Sequence, residues 1–335
     1  MRKSKPKLID VAQLAGVSVT TASQVIRGTG RISEKTTDKV KRAAEELNYV
    51  PNAMAASMRS GSSNEIGFVI NQISNPFNAE VISGVSDRLE IDGFLLSILD
   101  ARDDPIRQEK HLKAFLKSQR AGLLWVPAMG TKKDIFDLLQ FHKTPTVTFL
   151  RSTKFSDFDH VGIANADATY KATSHLIDLG HRHIAYLGGT LMTEVREQRI
   201  NGYKRALEGI NEPPTIWDCE DRKSAGLEAI LKMRVDHPEI SAVVCNGDMV
   251  ALGAELGLQR IGQTAGVDLS IVGFDDIQDA AVSTPPLTTM SVCPYQLGKR
   301  LAAIILSRLN DPDSPVTSTE ISAELIVRET TGRFS

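Results

Sequence analysis

Hydrophobic positions near the start of the chain recur with the period of an α-helix. Leu8, Val11, Ala12 and Ala15 occupy one face of a helix of about two turns. Gly16 follows where this helix must end, because glycine adopts left-handed backbone geometry without steric cost. The pattern therefore predicts a short amphipathic helix that stops at a tight turn.

Two more helices are predicted beyond this turn. Ser18 is a good N-cap for a helix over about 19–26. After a break at residues 28–30, Ser33 caps a third helix over about 34–47, with its hydrophobic positions on one face. Two short helices around a glycine turn, with a third packed behind them, are typical of a helix-turn-helix domain. Another kind of small three-helix domain is the alternative.

From residue 65 onward, strand-like and helical segments alternate. Short apolar runs followed by amphipathic segments indicate βαβ units, and therefore parallel sheets with helices on both faces. About 270 residues of this α/β pattern fit two lobes better than one. The first helix of this part is expected at 79–92. The predicted strands are 66–70, 94–99, 122–126, 145–150, 184–187, 242–245 and 269–272.

The charge distribution divides the chain at the same place. The formal net charge of all 335 residues is only −2. Residues 1–62, however, carry 11 Lys and Arg against 5 Asp and Glu, whereas the remainder carries 28 against 36. Because neutralising phosphates supplies most non-specific affinity for DNA, the basic segment is expected to contact nucleic acid. The acidic remainder is expected to have a different role.

Several classes of protein are excluded. No apolar run of about 18 residues could span a membrane, and the N-terminus lacks the apolar core of a signal peptide, so we expect a cytoplasmic protein. The three cysteines show neither disulfide nor zinc spacing. His175, His181 and His183 have no further ligand at metal spacing, so no metal is expected. Phosphate-binding, dinucleotide-binding and nucleophile-elbow motifs do not occur, so neither a cofactor nor an enzyme is expected.

The second helix exposes side chains that can read DNA. Val19, Thr20, Thr21, Ser23 and Gln24 are short or amide side chains rather than the Lys and Glu of a merely solvated helix. Hydroxyl and amide groups bond to phosphates or base edges, and valine can contact a thymine methyl group.

An alanine-rich segment follows this domain at residues 53–59, before a Ser/Gly run. A helix of about two turns is marginal alone in water, so it should fold only when something supports it. A plain flexible tether is the alternative.

Polar and aromatic residues follow several predicted strands. Because the carboxyl ends of parallel strands meet at one edge of a sheet, these residues should line a cleft between the two lobes. An aromatic ring with amides and charges suits a polyhydroxylated ligand. The candidates are Phe77, Arg151, Asn246, Asp248 and Asp275, with Arg199 on a nearby helix. The two aspartates could instead cap helices, and Arg199 could simply pair with one of them.

Motifs along nearly the whole chain resemble the LacI/GalR family of bacterial transcriptional repressors. The resemblance implies a helix-turn-helix in the major groove and hinge helices that insert an apolar side chain into the minor groove. It also implies an effector domain with the fold of periplasmic sugar-binding proteins. The matching motifs include Asp10-Val11-Ala12, Ala15-Gly16-Val17-Ser18, Leu47-Asn48-Tyr49, Ile73-Ser74-Asn75-Pro76-Phe77 and Val272-Gly273-Phe274-Asp275-Asp276.

The resemblance assigns roles to the DNA-binding residues. It implies base reading by Val19, Thr20 and Gln24, backbone contacts by Thr21 and Ser23, a hinge contact at Ala55 and a minor-groove wedge at Met58. Arg31 and Asn52 belong to the same set, because the motifs Arg31-Ile32-Ser33 and Pro51-Asn52 also resemble the family. Gln24 replaces a common arginine, and glutamine prefers adenine where arginine prefers guanine. Met58 replaces the usual leucine and is a softer wedge.

The resemblance also assigns the effector site. It implies that Arg199 and Asp275 bind effector hydroxyls and that Phe77 and Asn165 line the cleft. Gly247 stands where the family usually has an effector-binding asparagine, although Asn246 beside it could compensate. Arg151 stands where an acidic residue often lies. Both departures leave the identity of the effector open.

Together these features predict a homodimeric transcriptional repressor that binds a pseudo-palindromic operator under the control of a small ligand, expected to be a sugar. A purine or phosphorylated metabolite is the alternative effector. A sugar-binding transport protein and an α/β enzyme are alternative functions. The expected domains are a helix-turn-helix at 1–51, a hinge at 52–63 and an effector-binding and dimerisation domain at 64–335, with an N-lobe of about 64–163 and 293–323 and a C-lobe of about 164–292 and 324–333.

Overall fold

The computed structural model divides the chain into two compact units. Met1–Ser63 is called the head here, and Asn64–Ser335 the body. The residues described are 5–50, 63–153, 155, 157–189 and 191–334. The predicted hinge residues Asn52, Ala55 and Met58 lie outside these ranges. In the described part of the chain, no helix is both long and apolar enough to cross a membrane.

Three helices form the described part of the head, as the hydrophobic pattern predicts. They are α1 (Leu8–Ala15), α2 (Val19–Ile26) and α3 (Glu34–Glu46). Gly16 ends α1 with φ of 65°, and the Ser18 hydroxyl caps α2 by accepting the Thr21 N–H at 3.0 Å. Ser33 caps α3 in the same way through Thr36.

A small apolar core holds these helices together. Val11 and Val40 are fully buried, and Ala22 of α2 packs in the same cluster. Helix α2 turns Ala22 and Val25 into this core, and the opposite face of the helix, with Val19 and Thr20, stays exposed. The head is thus a helix-turn-helix with one accessible face on its second helix.

The body contains two six-stranded sheets. The strand order is β11-β5-β4-β3-β1-β2 in the first and β12-β10-β9-β8-β6-β7 in the second. All neighbours pair in parallel except β12, which runs antiparallel to β10. The strands are β1 (Glu65–Ile70), β2 (Leu95–Asp100), β3 (Gly122–Trp125), β4 (Thr146–Phe149), β5 (Asp159–Ile163), β6 (Ile184–Leu187), β7 (Thr215–Trp217), β8 (Ala242–Cys245), β9 (Ser270–Asp275), β10 (Thr288–Ser291), β11 (Ser318–Ile321) and β12 (Glu324–Ile326).

Nine helices in the described part of the body connect these strands. Three of them follow strands β1, β2 and β3 of the first sheet: α4 (Pro76–Ile91), α5 (Pro105–Lys117) and α6 (Lys133–Phe141). The later helices are α7 (Asn165–Asp178), α8 (Glu194–Glu208), α9 (Lys223–Asp236), α10 (Asp248–Arg260), α11 (Gln278–Val282) and α12 (Pro294–Asn310). The first sheet with α4, α5, α6 and α12 is called the first lobe, and the second sheet with the other helices the second lobe.

The chain passes between the lobes three times. It leaves the first sheet after β5, returns after β10 through α12, and leaves again between β11 and β12. Helix α12 packs against α4 at close range, because glycines face the neighbouring backbone. A Cβ on Gly84 would lie 1.9 Å from the carbonyl oxygen of Tyr295, and one on Gly298 would lie 2.1 Å from that of Val81.

The sequence pattern misplaces one helix start and omits several strands. Helix α4 begins at Pro76 rather than near residue 79, because the Asn75 side chain accepts the Phe77 N–H at 3.0 Å and proline suits the first turn. The unpredicted strands are β5, β7, β10, β11 and β12. They have three to five residues each, and β7 and β11 are partly exposed edges without a continuous apolar run.

Candidate functional site

The exposed face of α2 presents most of the predicted DNA-reading residues. Val19 is 43% exposed and Thr20 is exposed, whereas Thr21, Ser23 and Gln24 are half-buried. The Thr21 hydroxyl lies 2.9 Å from the Ser18 hydroxyl, so the two form part of the helix cap. A helix with one free polar face is the geometry that enters a major groove.

The segment after α2 adds charge to this face. Gln24 packs beside Gly30, whose Cβ position would lie 3.2 Å from the amide carbon of the side chain. Arg27 and Arg31 are both exposed, and the Arg27 guanidinium donates to the Ser23 carbonyl at 3.1 Å. Sequence reasoning did not single out Arg27, although a basic residue at the end of the second helix was a visible signal.

A cleft in the body lies at the carboxyl ends of the parallel strands. Its volume is about 570 Å³. It lies next to β1 and β8, where each sheet changes its strand order, as expected for ligand sites in doubly wound folds. Its lining includes five of the predicted residues: Phe77, Arg151, Arg199, Asn246 and Asp275.

Arg199 is the most constrained cation of the cleft. Its Nε donates to the Asn165 side chain at 2.9 Å, and its Nη1 donates to the Asn246 carbonyl. The guanidinium carbon lies 3.5 Å from the centre of the Phe274 ring. Its Nη2 is 3.8 Å from Asp275, which is longer than a hydrogen bond. Arg199 therefore faces Asp275 across a gap rather than forming a tight pair with it.

Asp275 is held in an uncommon backbone conformation at the end of β9. Its φ is 113°, a sparsely populated region for any residue other than glycine. Burial raises the pKa of its carboxyl well above the ordinary range; Arg199 opposes this shift, and Asp248 and Asp221 add to it. The N-cap of the following helix is Ile277, so Asp275 does not occupy that N-cap.

Asp221 is a cleft residue that the sequence analysis missed. Both of its carboxylate oxygens accept from Asn246 Nδ2, at 3.0 and 2.8 Å. The Asn246 oxygen in turn accepts from the Tyr186 hydroxyl at 2.7 Å. Burial raises the pKa of Asp221, although Arg199 and Asn246 oppose the shift. The loop after the short strand β7 carries Asp221, and no periodic pattern marks that strand.

The first lobe contributes an aromatic wall and an ion pair. Phe77 stacks on Phe149 with ring centres 6.3 Å apart. Arg151 makes two bonds to Asp103, one of them 2.9 Å long, and a third to the Pro127 carbonyl at 3.0 Å. Arg151 thus brings its own acidic partner, which sequence reasoning did not identify.

Two predicted effector contacts do not line the cleft. Asn165 is buried behind Arg199 and is bonded to it and, through its amide nitrogen, to Gln198 at 3.0 Å. The Asp248 carboxylate accepts from the Thr289 hydroxyl at 2.6 Å and from the Ile277 N–H at 2.9 Å. Both expectations are corrected: these side chains turn into the interior, where Asn165 holds Arg199 and Asp248 bonds to residues behind the cleft.

Asp248 is also not the cap of its own helix. It is the first residue of α10, whose N-cap is Gly247. Burial raises the pKa of Asp248 to about 7.

The histidines have structural surroundings. His175 bonds to the Thr331 hydroxyl at 3.1 Å, and His181 contacts the Ser241 hydroxyl and the Gly332 carbonyl. The family resemblance puts His181 at a helix end that favours a cation, but burial lowers its pKa and disfavours that charge. Within the described ranges, no group of three or more His, Cys, Asp or Glu side chains could hold a metal.

Polar contacts join the two lobes. The Ser152 hydroxyl of the first lobe donates to Glu194 at 2.8 Å. The Gln278 N–H of the second lobe donates to Glu80 of α4 at 3.0 Å. Both contacts lie among exposed residues, whereas buried apolar residues of the two lobes, such as Phe68 and Ile271, belong to one hydrophobic cluster. The head and the cleft together define a DNA-binding regulator with a site for a small molecule.

Comparison with known proteins identifies the family. Residues 7–52 match the bacterial regulatory proteins of the lacI family, and residues 173–331 match the periplasmic binding protein-like domain. The maltose regulon regulatory protein MalI of Escherichia coli (strain K12) is 32% identical over 329 residues, covering 95% of this chain and 96% of that protein. The transcriptional repressor PurR of Haemophilus influenzae (strain PittEE) is 30% identical over 326 residues, covering 96% and 97%.

Solved structures share the fold over the same length. The lac repressor dimer bound to operator and the anti-inducer ONPF matches with a TM-score of 0.86 at 24% identity, covering 98% of this chain and 99% of that one. The complex of the regulator CelR with cellobiose matches with a TM-score of 0.71 at 26% identity, covering 97% and 99%. The chain belongs to the LacI family of bacterial regulatory proteins and is a DNA-binding transcriptional regulator.

Identity to the relatives does not select an effector. The segments 196–203 and 243–245, with Arg151, resemble the maltose regulon repressor of enteric bacteria. MalI and PurR nevertheless have nearly equal identity to this chain.

Proposed function

We propose that this protein is a homodimeric repressor whose affinity for a pseudo-palindromic operator is set by a small polyhydroxylated ligand, a sugar or a sugar derivative. The observation that carries the proposal is the cleft, whose described lining combines the Phe77 ring with carboxylates, amides and arginines. Each sugar hydroxyl both donates and accepts, so a mixed lining of this kind satisfies it. A solved relative of similar fold, CelR, is described in complex with cellobiose.

The charge of the cleft disfavours a phosphorylated effector. Its described lining contains four aspartates and three arginines, and Arg102 and Arg151 already pair with aspartates. A phosphate would therefore meet excess negative charge. The protein is proposed to act in the cytoplasm, where its operator lies, by binding alone and without turnover of the ligand.

Regulation is proposed to follow from the separation of the lobes. A ligand that binds the two lobes better in one arrangement shifts the population toward that arrangement. The first lobe leads back along the chain to residues 52–63, the proposed hinge, so each arrangement would favour or disfavour pairing of the hinges on the operator.

To test the proposed function, genomic DNA fragments that bind to the purified full-length protein are isolated. Sequencing that DNA should return a pseudo-palindrome, and electrophoretic titration should show that a sugar changes affinity for it. The competing effectors, purines and phosphorylated metabolites, are titrated in parallel. Failure to enrich any sequence above random genomic DNA would reject the operator-binding role.

Gln24→Ala should relax base preference at one operator position. The amide can form two hydrogen bonds to an adenine edge, which is worth about 1–3 kcal/mol of discrimination. Affinities for the operator, its single-base variants and random DNA provide the measurement. Affinity for random DNA should change little.

Arg31→Ala is the matched contrast for Gln24. We expect Arg31 to contact a DNA phosphate. Loss of that contact should weaken binding to the operator and to random DNA alike, and should reduce by about one the number of counterions released on binding. If Gln24→Ala behaved like Arg31→Ala, Gln24 would not be a base reader.

A further inference from the structure

The space beside Gly247 is bordered by oxygen acceptors. A Cβ on this glycine would lie 3.3 Å from Asp275 Oδ2, 3.9 Å from the Phe274 carbonyl oxygen and 4.0 Å from Asp221 Oδ1. These three oxygens are the nearest atoms to that point outside the local chain, and two belong to carboxylates. A side chain at residue 247 would crowd Asp275 Oδ2. Glycine therefore leaves Asp221 and Asp275 beside bare backbone in the lining of the cleft.

Asp221 has no ion pair among the described residues. Arg102 and Arg151 pair with other aspartates of the lining, and Arg199 is held by Asn165 and the Asn246 carbonyl. Arg196, the next nearest cation along α8, donates to the Gly188 carbonyl and to Asp218. Asp221 instead accepts hydrogen bonds from the neutral amide of Asn246.

A shielded carboxylate without a cation is costly in the ligand-free protein. Burial raises the pKa of Asp221 and that of Asp275, which is consistent with incomplete compensation of their charge. Asp248, behind them, adds to the negative potential at Asp275. A cationic group in the space beside Gly247 would remove this cost, and an ammonium has three donors for three acceptors.

We propose that Asp221 and Asp275 select an effector that carries a protonated amine, such as an amino sugar, with the ammonium beside Gly247. The inference deepens the proposed function and rests on it. A neutral sugar could bond to the same oxygens through hydroxyls, but it would leave Asp221 without a cationic partner.

The first test measures the ligand-free, full-length protein. Asp221→Asn keeps an oxygen that accepts from Asn246 and removes the charge, so the midpoint of thermal unfolding should rise by roughly 2–4 °C. Asp236→Asn, at the exposed end of α9, makes the same change in net charge away from the cleft and should leave the midpoint unchanged. A lower midpoint for Asp221→Asn would mean that its charge is already compensated, and would overturn the proposal.

The second test compares matched ligands by thermal shift. The pairs are glucose with glucosamine, galactose with galactosamine, and mannose with mannosamine, with the N-acetyl derivatives as uncharged analogues. At least one amino sugar should bind roughly tenfold tighter than its neutral partner, as expected for a charge-assisted hydrogen bond. Asp221→Asn should remove this preference, and Asp236→Asn should keep it.

The outcomes separate this proposal from the broader one. The amine inference is overturned if no amino sugar binds more tightly than its neutral partner. It is also overturned if the preference for the amino sugar survives in Asp221→Asn. Neutral sugars that stabilise the protein and change operator binding would leave the proposed function standing. Operator binding that responds to no small molecule would overturn the proposed function itself.

Discussion

Asp275→Ala is expected to abolish the response to effector while the protein still binds its operator. The carboxylate borders the cleft and faces Arg199, so a ligand loses a charge-assisted contact and affinity should fall about 10- to 150-fold. Arg199 keeps its bonds to Asn165 and Asn246 and its contact with Phe274, so the second lobe should stay folded. Electrophoretic titration with and without effector measures both quantities.

Two control measurements make the Asp275→Ala result interpretable. Circular dichroism should match the wild-type protein, and Asp236→Ala should retain the full response. An unchanged ligand response in Asp275→Ala would show that the effector binds elsewhere.

Arg308→Met is expected to lower the free energy of unfolding by about 3–5 kcal/mol, the usual cost of breaking a buried ion pair. The Arg308 guanidinium makes two bonds to Asp159, at 2.8 and 3.0 Å, and also donates to three carbonyls of residues 312–315. The Asp159 side chain is only 3% exposed. Methionine would leave that carboxylate buried without its cation.

The loss should depend on pH. Burial acts to raise the pKa of Asp159, but hydrogen bonds from Arg308 and Thr317 outweigh it and lower the pKa. A lowered carboxyl pKa contributes stability above the unfolded-state value of about 3.9 and loses it as pH falls toward the folded value. The difference between Arg308→Met and wild type should therefore be large at pH 7 and shrink below about pH 4.

Urea unfolding followed by tryptophan fluorescence measures this effect. The chain has two tryptophans, Trp125 in the first lobe and Trp217 in the second, so each lobe has a reporter. Lys133→Met breaks an exposed pair with Asp137 and should have little effect. Equal stability of Arg308→Met and wild type at pH 7 would contradict the buried-pair interpretation.

Short motifs in the sequence were enough to indicate the family. Several side-chain contacts of the cleft could not be predicted from the sequence. Gly16 and Ser18 fix the turn and cap of the head through local backbone chemistry, so the head is predictable. The polar residues after β1, β8 and β9 were expected at one edge, because parallel strands align their ends. Phe77, Asn246 and Asp275 do line the same cleft.

Asp248 and Asp221 mark the limit of this reasoning, and Asn165 marks the limit of the family resemblance. Strand-end spacing gives the position of a residue but not the direction of its side chain. Asp248 turns away because Thr289 and the Ile277 N–H offer better bonds behind the cleft. Asp221 enters the cleft on a loop whose path depends on the packing of β7 against β6.

The sequence by itself predicted the three helices of the head and the alternating α/β body, because periodicity, caps and glycine turns act over a few residues. The class of regulator was indicated by the resemblance of its motifs to a known family. The tertiary structure decided which charges are paired and which face the ligand, because partners such as Arg151 and Asp103 are 48 residues apart in the chain. Asp221 lies beside Asn246, 25 residues away in the chain. Because this partner is a neutral amide, it does not compensate the charge of the carboxylate.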